Sequence, residues 1–490
     1  MASAGLQSTF VRLKSAAVAT ACLSPLLAVT PSGDANASTY AGARLDELPQ
    51  RFVIAHRGAG AFLAPENTTA AFDRGVADPN SHMLEFDVQV LKDGAGAVWH
   101  DPTVDRISTS TGPVTSLDSA AFKKLVIDPR SWFGGTAANT NPLLLNELLD
   151  RYAGRKLLLA HPKDTAAMRL TIDTLKERGL QDSVHIQTFS RSDAVLAHQA
   201  GFTTQVIVGG AQQAAIDTPE AIKADGIDRV SLWQGLPDAT IKGYVAAGLV
   251  VTCYDVNRHY RRDQLYALGV RGLDSDDPTY ARGDQARYRR TGDPFATQNW
   301  WYGHLGQVQA ANRLAANHPD RGSFTAPDSW GVPRGSYPMF VRQGWASPVP
   351  KIYELRVWMK VTALGSDKTR WGGVYFSANR DHAFTDAATD PHNAGYNLIL
   401  RQNGQLQLYR KEPSRTVLLK TINTKALGTG TLAKLQIKVT TTGIYIRRYD
   451  ITSAGATVND TKYRGGYLYF GRSAYTNQQG PGITFKSVYK

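Results

Sequence analysis

Residues 45–290 alternate between short apolar runs and segments with helical periodicity. Near-continuous apolar runs separated by helices are typical of a parallel sheet whose two faces are covered by helices. The pattern therefore predicts an α/β fold for this part of the chain. Nine runs are predicted as strands: 52–56, 84–90, 97–100, 157–162, 184–188, 204–208, 229–232, 249–254 and 272–275.

Helical periodicity occupies several of the intervals between these strands, at 68–76, 164–178, 190–199 and 238–247. Thr68 is suited to cap the first of these helices, and Gly179, Gly201 and Gly248 follow the other three as stop residues. About eight strand–helix units in roughly 250 residues match the size of a (β/α)8 TIM barrel. Run 97–100 is then expected to be a hairpin extension of the second strand and not a barrel strand.

The second half of the chain has a different pattern, with strict alternation of apolar and polar residues from 351 onwards. Asn403-Gly404 separates two alternating runs and is a strong hairpin sequence. Short strands without helices predict a β-sandwich or jelly roll over 351–490, and the aperiodic segment 291–350 predicts a linker and the start of this second domain. One face of the run 353–361 is apolar throughout: Tyr353, Leu355, Val357, Met359 and Val361.

Residues 1–37 have the three parts of a secretory signal peptide. Arg12 and Lys14 supply the positive charge, residues 16–29 are apolar, and Ala35-Asn36-Ala37 fits a small-x-small cleavage site. The apolar part is shorter than the ~20 residues of a membrane span, and no other stretch is long enough. We therefore expect cleavage near Ala37, a secreted protein and no transmembrane segment.

Composition is ordinary for a globular protein, but the net charge is +13. A basic balance favours anionic partners such as phosphate groups, acidic lipids or teichoic acids. Without a dense Lys/Arg run or a nucleic-acid motif, a nucleic-acid partner is not predicted. Cys253 would be the single cysteine left after cleavage, and its apolar surroundings predict a buried structural thiol.

Polar residues gather at the predicted strand ends, where TIM barrels carry their chemistry. Glu85 and Asp87 are two apart on one strand, so their side chains point the same way. Two carboxylates that face one cavity repel each other unless a cation lies between them, which favours a hard divalent metal. A solvated strand face is the competing interpretation, and it would leave the strand buried on one face alone.

His56 and His100 each follow a predicted strand. Two histidines at strand ends can act as general acid and base, one taking a proton from the nucleophile and the other giving one to the leaving oxygen. A structural role for each ring is the alternative, and the residues alone leave both open.

The order and spacing of these motifs resemble the glycerophosphodiester phosphodiesterase family over about residues 50–280. The motifs that carry the resemblance are His56-Arg57-Gly58, Pro65-Glu66-Asn67-Thr68, Glu85-x-Asp87-Val88, His100-Asp101, Pro142-x-Leu144 before Glu147-Leu148, Gln187-Thr188-Phe189, Val256-Asn257 and the run from Gly269 to Asp276 with Pro278.

The resemblance implies a TIM barrel that hydrolyses glycerophosphodiesters to glycerol 3-phosphate and an alcohol. It implies that the substrate is a small-molecule or lipid-derived phosphodiester and that the cofactor is a divalent metal ion, commonly calcium or magnesium. By the same resemblance, the acid–base pair is His56 and His100, the metal ligands include Glu85 and Asp87, and the substrate- or phosphate-binding residues are Arg57 and Lys163.

His161 departs from the family pattern, which has a metal-binding glutamate two residues before the matched Lys163. Imidazole suits manganese, zinc and other transition metals better than calcium. His161 either ligates the metal and shifts its identity, leaves the metal to Glu85, Asp87 and water, or impairs the site. We expect retained activity because the other matched residues are present.

Two further functions compete with this expectation. One is a phospholipase D-like lyase that acts on choline phospholipids with the same barrel and histidine pair. The other is a non-catalytic wall- or glycan-binding protein whose barrel has lost its metal. The pattern of the second domain resembles concanavalin-like or laminin-G-like domains of secreted enzymes, which implies a cell-wall glycan or teichoic acid as its partner.

Overall fold

A computed structural model of the chain describes most of the two predicted domains. The described residues are 48–58, 64–129, 138–283, 323–326, 329–332, 339–344, 352–382, 390–473 and 479–489. The predicted signal peptide at 1–37 lies outside them, as does most of 291–350.

Eight parallel strands form a closed barrel, because the first strand pairs with both the second and the last. The TIM-like barrel predicted from the sequence is therefore confirmed. Its strands are β1 (Phe52–Ala55), β2 (Met83–Val90), β4 (Leu157–Pro162), β5 (Val184–Thr188), β6 (Thr204–Val208), β7 (Arg229–Trp233), β8 (Val250–Tyr254) and β9 (Gly272–Ser275). The short strand β3 (Gly96–Val98) pairs antiparallel with β2, as predicted for the hairpin extension.

Helices connect the barrel strands, and local chemistry sets their ends. The side chains of Thr68, Asp164 and Ser190 accept N-cap hydrogen bonds, and Gly179 and Gly201 follow two helices in the left-handed conformation. The α-helices are Thr69–Ala77, Ser119–Lys123, Leu145–Tyr152, Thr165–Glu177, Arg191–Gln199, Ala211–Ala214, Pro219–Ala224, Asp238–Ala246, His259–Ala267 and Pro278–Arg282, and the 3-10 turns are His56–Gly58 and Val114–Ser116.

Alternation along β2 separates the core from the site. Leu84, Phe86 and Val88 pack outward in the core cluster shared with the surrounding helices. The residues between them, Glu85 and Asp87, therefore face the barrel interior. Polar groups such as these carboxylates therefore lie towards the carboxyl ends of the strands. Below them the barrel is filled by an apolar cluster of Phe52, Ile54, Met83, Leu157 and Leu159.

The segment between β3 and the helix Leu145–Tyr152 has a small core of its own. Trp99 meets Phe122 edge-on with ring centroids 5.8 Å apart, and Val114 and Ile127 are fully buried beside them. This packing fixes the start of the segment, which includes His100, against the barrel mouth.

The C-terminal region consists of two antiparallel sheets that share one apolar core. One sheet contains β10 (Ser323–Ala326), β11 (Ser329–Val332), β22 (Gly482–Tyr489), β13 (Tyr353–Ala363), β18 (Leu432–Val439), β19 (Ile444–Arg448) and β20 (Ala456–Val458). The other contains β12 (Met339–Gly344), β21 (Tyr467–Arg472), β14 (Trp371–Ala378), β15 (Gly395–Arg401), β16 (Gln405–Lys411) and β17 (Thr416–Asn423).

The predicted alternation and hairpin are both found in these sheets. Leu355, Val357 and Met359 of β13 enter the shared core. Asn403 and Gly404 connect the antiparallel pair β15 and β16, and Gly404 has a φ of +90°. The all-β character of the second domain is confirmed; the jelly-roll topology and the boundaries at 290 and 350 stay predictions.

Two other sequence expectations have structural outcomes. Cys253 is fully buried, and burial raises the pKa of its thiol to about 12, as expected of a structural thiol. Within the described ranges no helix combines the length and apolar character that a membrane crossing needs.

Candidate active site

The turn after β1 brings Arg57 into the barrel mouth. Arg57 adopts a φ of +51°, which directs its backbone N–H to Glu85 Oε2 at 2.8 Å. Its Nη1 donates to Glu66 Oε1 at 2.7 Å, and its Nε lies 3.7 Å from Asp87 Oδ2. A non-glycine residue in this backbone region is uncommon and costs energy, so the contacts to three carboxylates must hold it there.

Glu85, Asp87 and His161 form a compact cluster, since one ligand atom of each lies within 4.8 Å of the others. The strand register explains this, because Asp87 and His161 are direct partners in the parallel pair of β2 and β4. His161 Nδ1 lies 3.4 Å from Asp87 Oδ1 and 3.8 Å from Glu85 Oε1. The site residues predicted as metal ligands are thus brought together.

The donor set of this cluster fits a divalent cation. Glu85 Oε1 is buried and has no hydrogen-bond partner among the described residues, which is costly for an oxygen that nothing compensates. Burial and the neighbouring Asp87 raise the pKa of Glu85 to about 8. Two carboxylate oxygens and an imidazole nitrogen suit magnesium or calcium less completely than manganese or zinc.

Lys163 borders the same cluster. Its Nζ lies 2.5 Å from Asp87 Oδ1 and 2.9 Å from His161 Nδ1. Although burial opposes it, this ammonium lowers the pKa of Asp87 well below the usual value. Burial and the same ammonium lower the pKa of His161 to about 3, so its ring is neutral and able to ligate a metal.

His56 is held by a carboxylate from the last barrel strand. Its Nδ1 lies 2.9 Å from Asp276 Oδ1. Burial opposes charge on the ring, but the carboxylates of Asp274 and Asp276 outweigh it and raise the pKa of His56 well above 6.5. The raised pKa favours the protonated ring, which can donate a proton.

His100 is held in the opposite protonation state. Its Nδ1 lies 2.6 Å from Asp101 Oδ1, which keeps the proton on Nδ1 and leaves Nε2 as the basic nitrogen. Burial and the nearby charges of Arg57 and Lys163 lower its pKa to about 4. A neutral ring of this kind can accept a proton, so the pKa values of the two predicted histidines are shifted in opposite directions.

Sequence reasoning did not single out Arg106, which links the two halves of the site. Its guanidinium binds Asp101 through Nε and Glu66 through both terminal nitrogens, with Nη1 to Oε2 at 2.8 Å. Glu66 lies between Arg106 and Arg57, and both arginines lower its pKa. Arg106 follows no strand, so no periodicity pointed to it.

Asp276 and Asn257 appeared in the sequence only as parts of motifs. Asn257 Nδ2 donates to Asp276 Oδ2 at 2.7 Å, and Asn257 Oδ1 accepts from the Asp276 backbone at 2.9 Å. Asp276 follows β9 directly, so the rule that directed attention to strand ends also applied to it. Asp255 lies beside His56 and Asp276, with a ligand atom of each within 4.8 Å.

Aromatic side chains border the site next to His161. Phe189 is 48% exposed and its ring centroid lies 5.7 Å from that of His161. Tyr254 approaches the same place, because a Cβ at Gly209 would lie 3.1 Å from Phe189 Cε1 and 3.4 Å from the Tyr254 hydroxyl. These rings give the mouth an aromatic border.

Residues 56–280 match the Glycerophosphoryl diester phosphodiesterase family. Residues 56–280 form a domain of this family. The matched range begins at His56 and contains every predicted site residue. The enzyme class predicted from the sequence, a phosphoric diester hydrolase, is thereby confirmed at the level of the family domain.

Individual relatives of this phosphodiesterase-family domain align with between about a fifth and a half of the chain. YhdW of Bacillus subtilis is 42% identical over 101 residues, which are 21% of this chain and 40% of that protein. The glycerophosphodiester phosphodiesterase of Caldanaerobacter subterraneus is 27% identical over 235 residues, 46% of this chain and 94% of the relative. A phosphodiesterase of Oleispira antarctica, solved with the product sn-glycerol 3-phosphate, has 22% identity and a TM-score of 0.42, and covers 48% of this chain and 96% of its own.

Proposed function

We propose that the protein is a secreted, divalent-cation-dependent phosphodiesterase that hydrolyses glycerophosphodiesters to glycerol 3-phosphate and an alcohol. The observation that supports this most is the pair of histidines around the Arg57 and Glu85–Asp87 cluster, each held by its own carboxylate. His56 is bound to Asp276 and has a raised pKa, and His100 is bound to Asp101 and has a lowered pKa.

The protonation states support definite roles in the reaction. Neutral His100 takes the proton from the attacking hydroxyl through Nε2, and cationic His56 donates a proton to the leaving oxygen. Arg57 and Lys163 bind the phosphoryl oxygens, where charge develops in the transition state. The Arg57 and Lys163 side chains are already held by carboxylates before substrate binds, so little rearrangement is needed to orient them.

The cation would be held by Glu85, Asp87 and His161, and when bound it supplies charge neutralisation at the phosphoryl oxygens. The two carboxylates favour calcium or magnesium as the cation, and the imidazole favours manganese or zinc. The proposed substrate is a small-molecule or lipid-derived phosphodiester. We also propose that the β-domain binds a cell-wall glycan or teichoic acid, a partner suggested by its pattern and by the positive net charge.

One experiment tests the core of this proposal. Purified protein is incubated with glycerophosphocholine, lysophosphatidylcholine or a glycerol-phosphate polymer, with each cation or with a chelator, and glycerol 3-phosphate is measured. We expect release that the chelator abolishes and that His56→Ala and His100→Ala each lower by at least about a hundredfold. His198→Ala, at an exposed helix position, is the control and should retain full activity.

Release that survives both histidine substitutions would contradict the assignment of the acid–base pair. Failure of the intact protein to release glycerol 3-phosphate from any substrate with any cation would favour the binding-protein alternative. Export is tested separately, by the N-terminal sequence of protein recovered from culture medium, which is expected to begin near Ser38.

A further inference from the structure

A carboxylate of the β-domain caps a helix of the barrel. Asp381 is 1% exposed and accepts hydrogen bonds from the backbone N–H groups of His259 and Tyr260, at 2.5 and 3.1 Å. These groups open the helix His259–Ala267, whose own N-cap residue, Arg258, makes no side-chain cap. A carboxylate at a helix N-terminus satisfies otherwise unpaired donors and lies at the positive end of the helix dipole.

The same carboxylate also holds a second barrel segment. The Tyr280 hydroxyl donates to Asp381 Oδ2 at 2.8 Å, and Tyr280 belongs to the short helix Pro278–Arg282. The His259 ring stacks on Tyr280 with centroids 3.8 Å apart, and His259 Nε2 lies 2.6 Å from the Tyr280 carbonyl oxygen. Asp381 therefore fixes the starts of two neighbouring helices relative to each other.

The N-terminal ends of these two helices lie close in the chain to Asn257 and Asp276, and Asp276 holds His56. Asn257 lies two positions before His259 and bonds both the side chain and the backbone of Asp276. Asp276 lies four positions before Tyr280 and bonds His56 Nδ1. The path from Asp381 to His56 thus consists of short chain segments and hydrogen bonds that are buried or partly buried.

The contact around Asp381 is packed and does not depend on one bond. Arg258 Nη1 donates to the Asp381 carbonyl oxygen at 2.5 Å. The Tyr260 ring lies against His382, with centroids 4.4 Å apart, and against His392 at 5.5 Å. Such a contact holds Asp381 in one place relative to the barrel, as a positioning role requires.

We propose that Asp381 is a positioning residue of the active site, through which the β-domain fixes the Asn257–Asp276 pair and so orients His56. The inference rests on the proposed function, in which His56 donates the proton. It assigns the β-domain a part in catalysis that is separate from any binding of glycans.

The test compares full-length Asp381→Ala and Asp381→Asn with Asp460→Asn. Asp460 is a matched control, because it is also a buried β-domain carboxylate and accepts from a backbone N–H, that of Lys462 at 3.1 Å. We expect Asp381→Ala to lower kcat about tenfold while KM changes less than about twofold, since orientation and not binding is lost. Asp381→Asn keeps one carbonyl acceptor and should lose less, and Asp460→Asn should match the intact protein.

A spectroscopic readout separates this proposal from the proposed function. The 15N imidazole signals of His56 are assigned by their loss in His56→Ala. They are expected to shift in Asp381→Ala and to stay in place in Asp460→Asn. This measurement decides on Asp381 even if no phosphodiester is turned over, in which case the proposed function fails and the positioning does not.

Folding of each variant is checked by circular dichroism and thermal unfolding. If Asp381→Ala does not fold, Tyr280→Phe, which removes a single hydroxyl from the same contact, takes its place with the same two readouts. A folded variant with unchanged kcat and unchanged His56 signals would overturn the proposal.

Discussion

His161 is the residue at which we expect the cation preference of the proposed site to be set. Its ring is neutral and lies beside Asp87. A glutamate at this position would add a third carboxylate to those of Glu85 and Asp87. We expect His161→Glu to move the preferred cation from manganese or zinc towards calcium or magnesium, with a change in the activity ratio of about tenfold. Activity is measured across the four cations, with His198→Glu as the charge-matched control. An unchanged order of cations would show that His161 does not touch the ion.

Arg106 links His100 to Arg57, because it binds Asp101, which holds His100, and Glu66, which holds Arg57. A lysine keeps the charge but has one nitrogen in place of a fork, so it cannot bind Glu66 and Asp101 together. We expect Arg106→Lys to lower kcat/KM about a hundredfold. Arg178→Lys is the control, because Arg178 binds Asp150 at an exposed position. Equal activity of the two variants would contradict a positioning role for Arg106.

The two histidines also predict the pH dependence of kcat/KM. His100 must be neutral to act as the base, and its pKa is lowered to about 4, so activity should fall as the pH drops towards that value. His56 must be cationic, and its raised pKa should keep activity high through neutral pH, with a fall only at alkaline pH. The profile is recorded at saturating cation. An acid limb centred near the ordinary histidine value of about 6.5 would contradict this assignment.

At the scale of elements, the 3-10 turn His56–Gly58 depends on close contact with the helix Thr69–Ala77. Gly58 has a φ of +82°, and a Cβ there would lie 2.8 Å from Phe72 Cδ1. Gly94 has nearly the same φ, +84°, with no atom within 4 Å of its Cβ position. We expect Gly58→Ala to lower the free energy of unfolding by about 1–3 kcal/mol more than Gly94→Ala, because overpacking adds to the backbone cost. Denaturant unfolding measures this difference. Equal losses of unfolding free energy in the two variants would show that the helix Thr69–Ala77 moves to make room for the added methyl group.

The strands and helices of the barrel could be predicted because the residues of each segment favour the same secondary structure that the segment has in the fold. The predicted strands 157–162, 184–188 and 204–208 coincide with β4, β5 and β6, since each is short and rich in the aliphatic residues that a buried parallel strand needs. The interior direction of Glu85 and Asp87 followed from alternation on a strand that is buried on both faces.

The parts of the site that could not be predicted depend on contacts between distant segments. Arg106 reaches Glu66 across 40 positions of the chain, and Asp381 reaches Tyr280 across 101. Neither residue carries a periodic pattern, since its position depends on how separate segments pack. The pKa values of His56 and His100 likewise depend on charges that only the folded barrel brings near.

At the scale of the whole molecule, the charge cluster should couple cation binding to stability. Without a cation, burial and Asp87 disfavour the charged form of Glu85. A ligand at 100 times its Kd stabilises the folded state by about 2.7 kcal/mol, which corresponds to roughly 5–10 °C in Tm for a domain of this size. We therefore expect a saturating divalent cation to raise Tm by several degrees relative to chelator-treated protein.

Glu85→Gln gives this prediction a definite sign. At a pH above about 8, where Glu85 is ionised, the substitution removes one of two repelling buried charges, so the variant should be more stable than the intact protein in chelator. It also removes a ligand, so the variant should lose most of the cation-induced rise in Tm and become the less stable of the two at saturating cation. Thermal unfolding of both proteins with and without cation measures this crossing, and Asp460→Asn should respond to cation as the intact protein does. An equal rise in Tm on adding cation in all three proteins would mean that the cation binds elsewhere. Only a cation bound at the Glu85–Asp87–His161 cluster should reverse which of the intact protein and Glu85→Gln is the more stable.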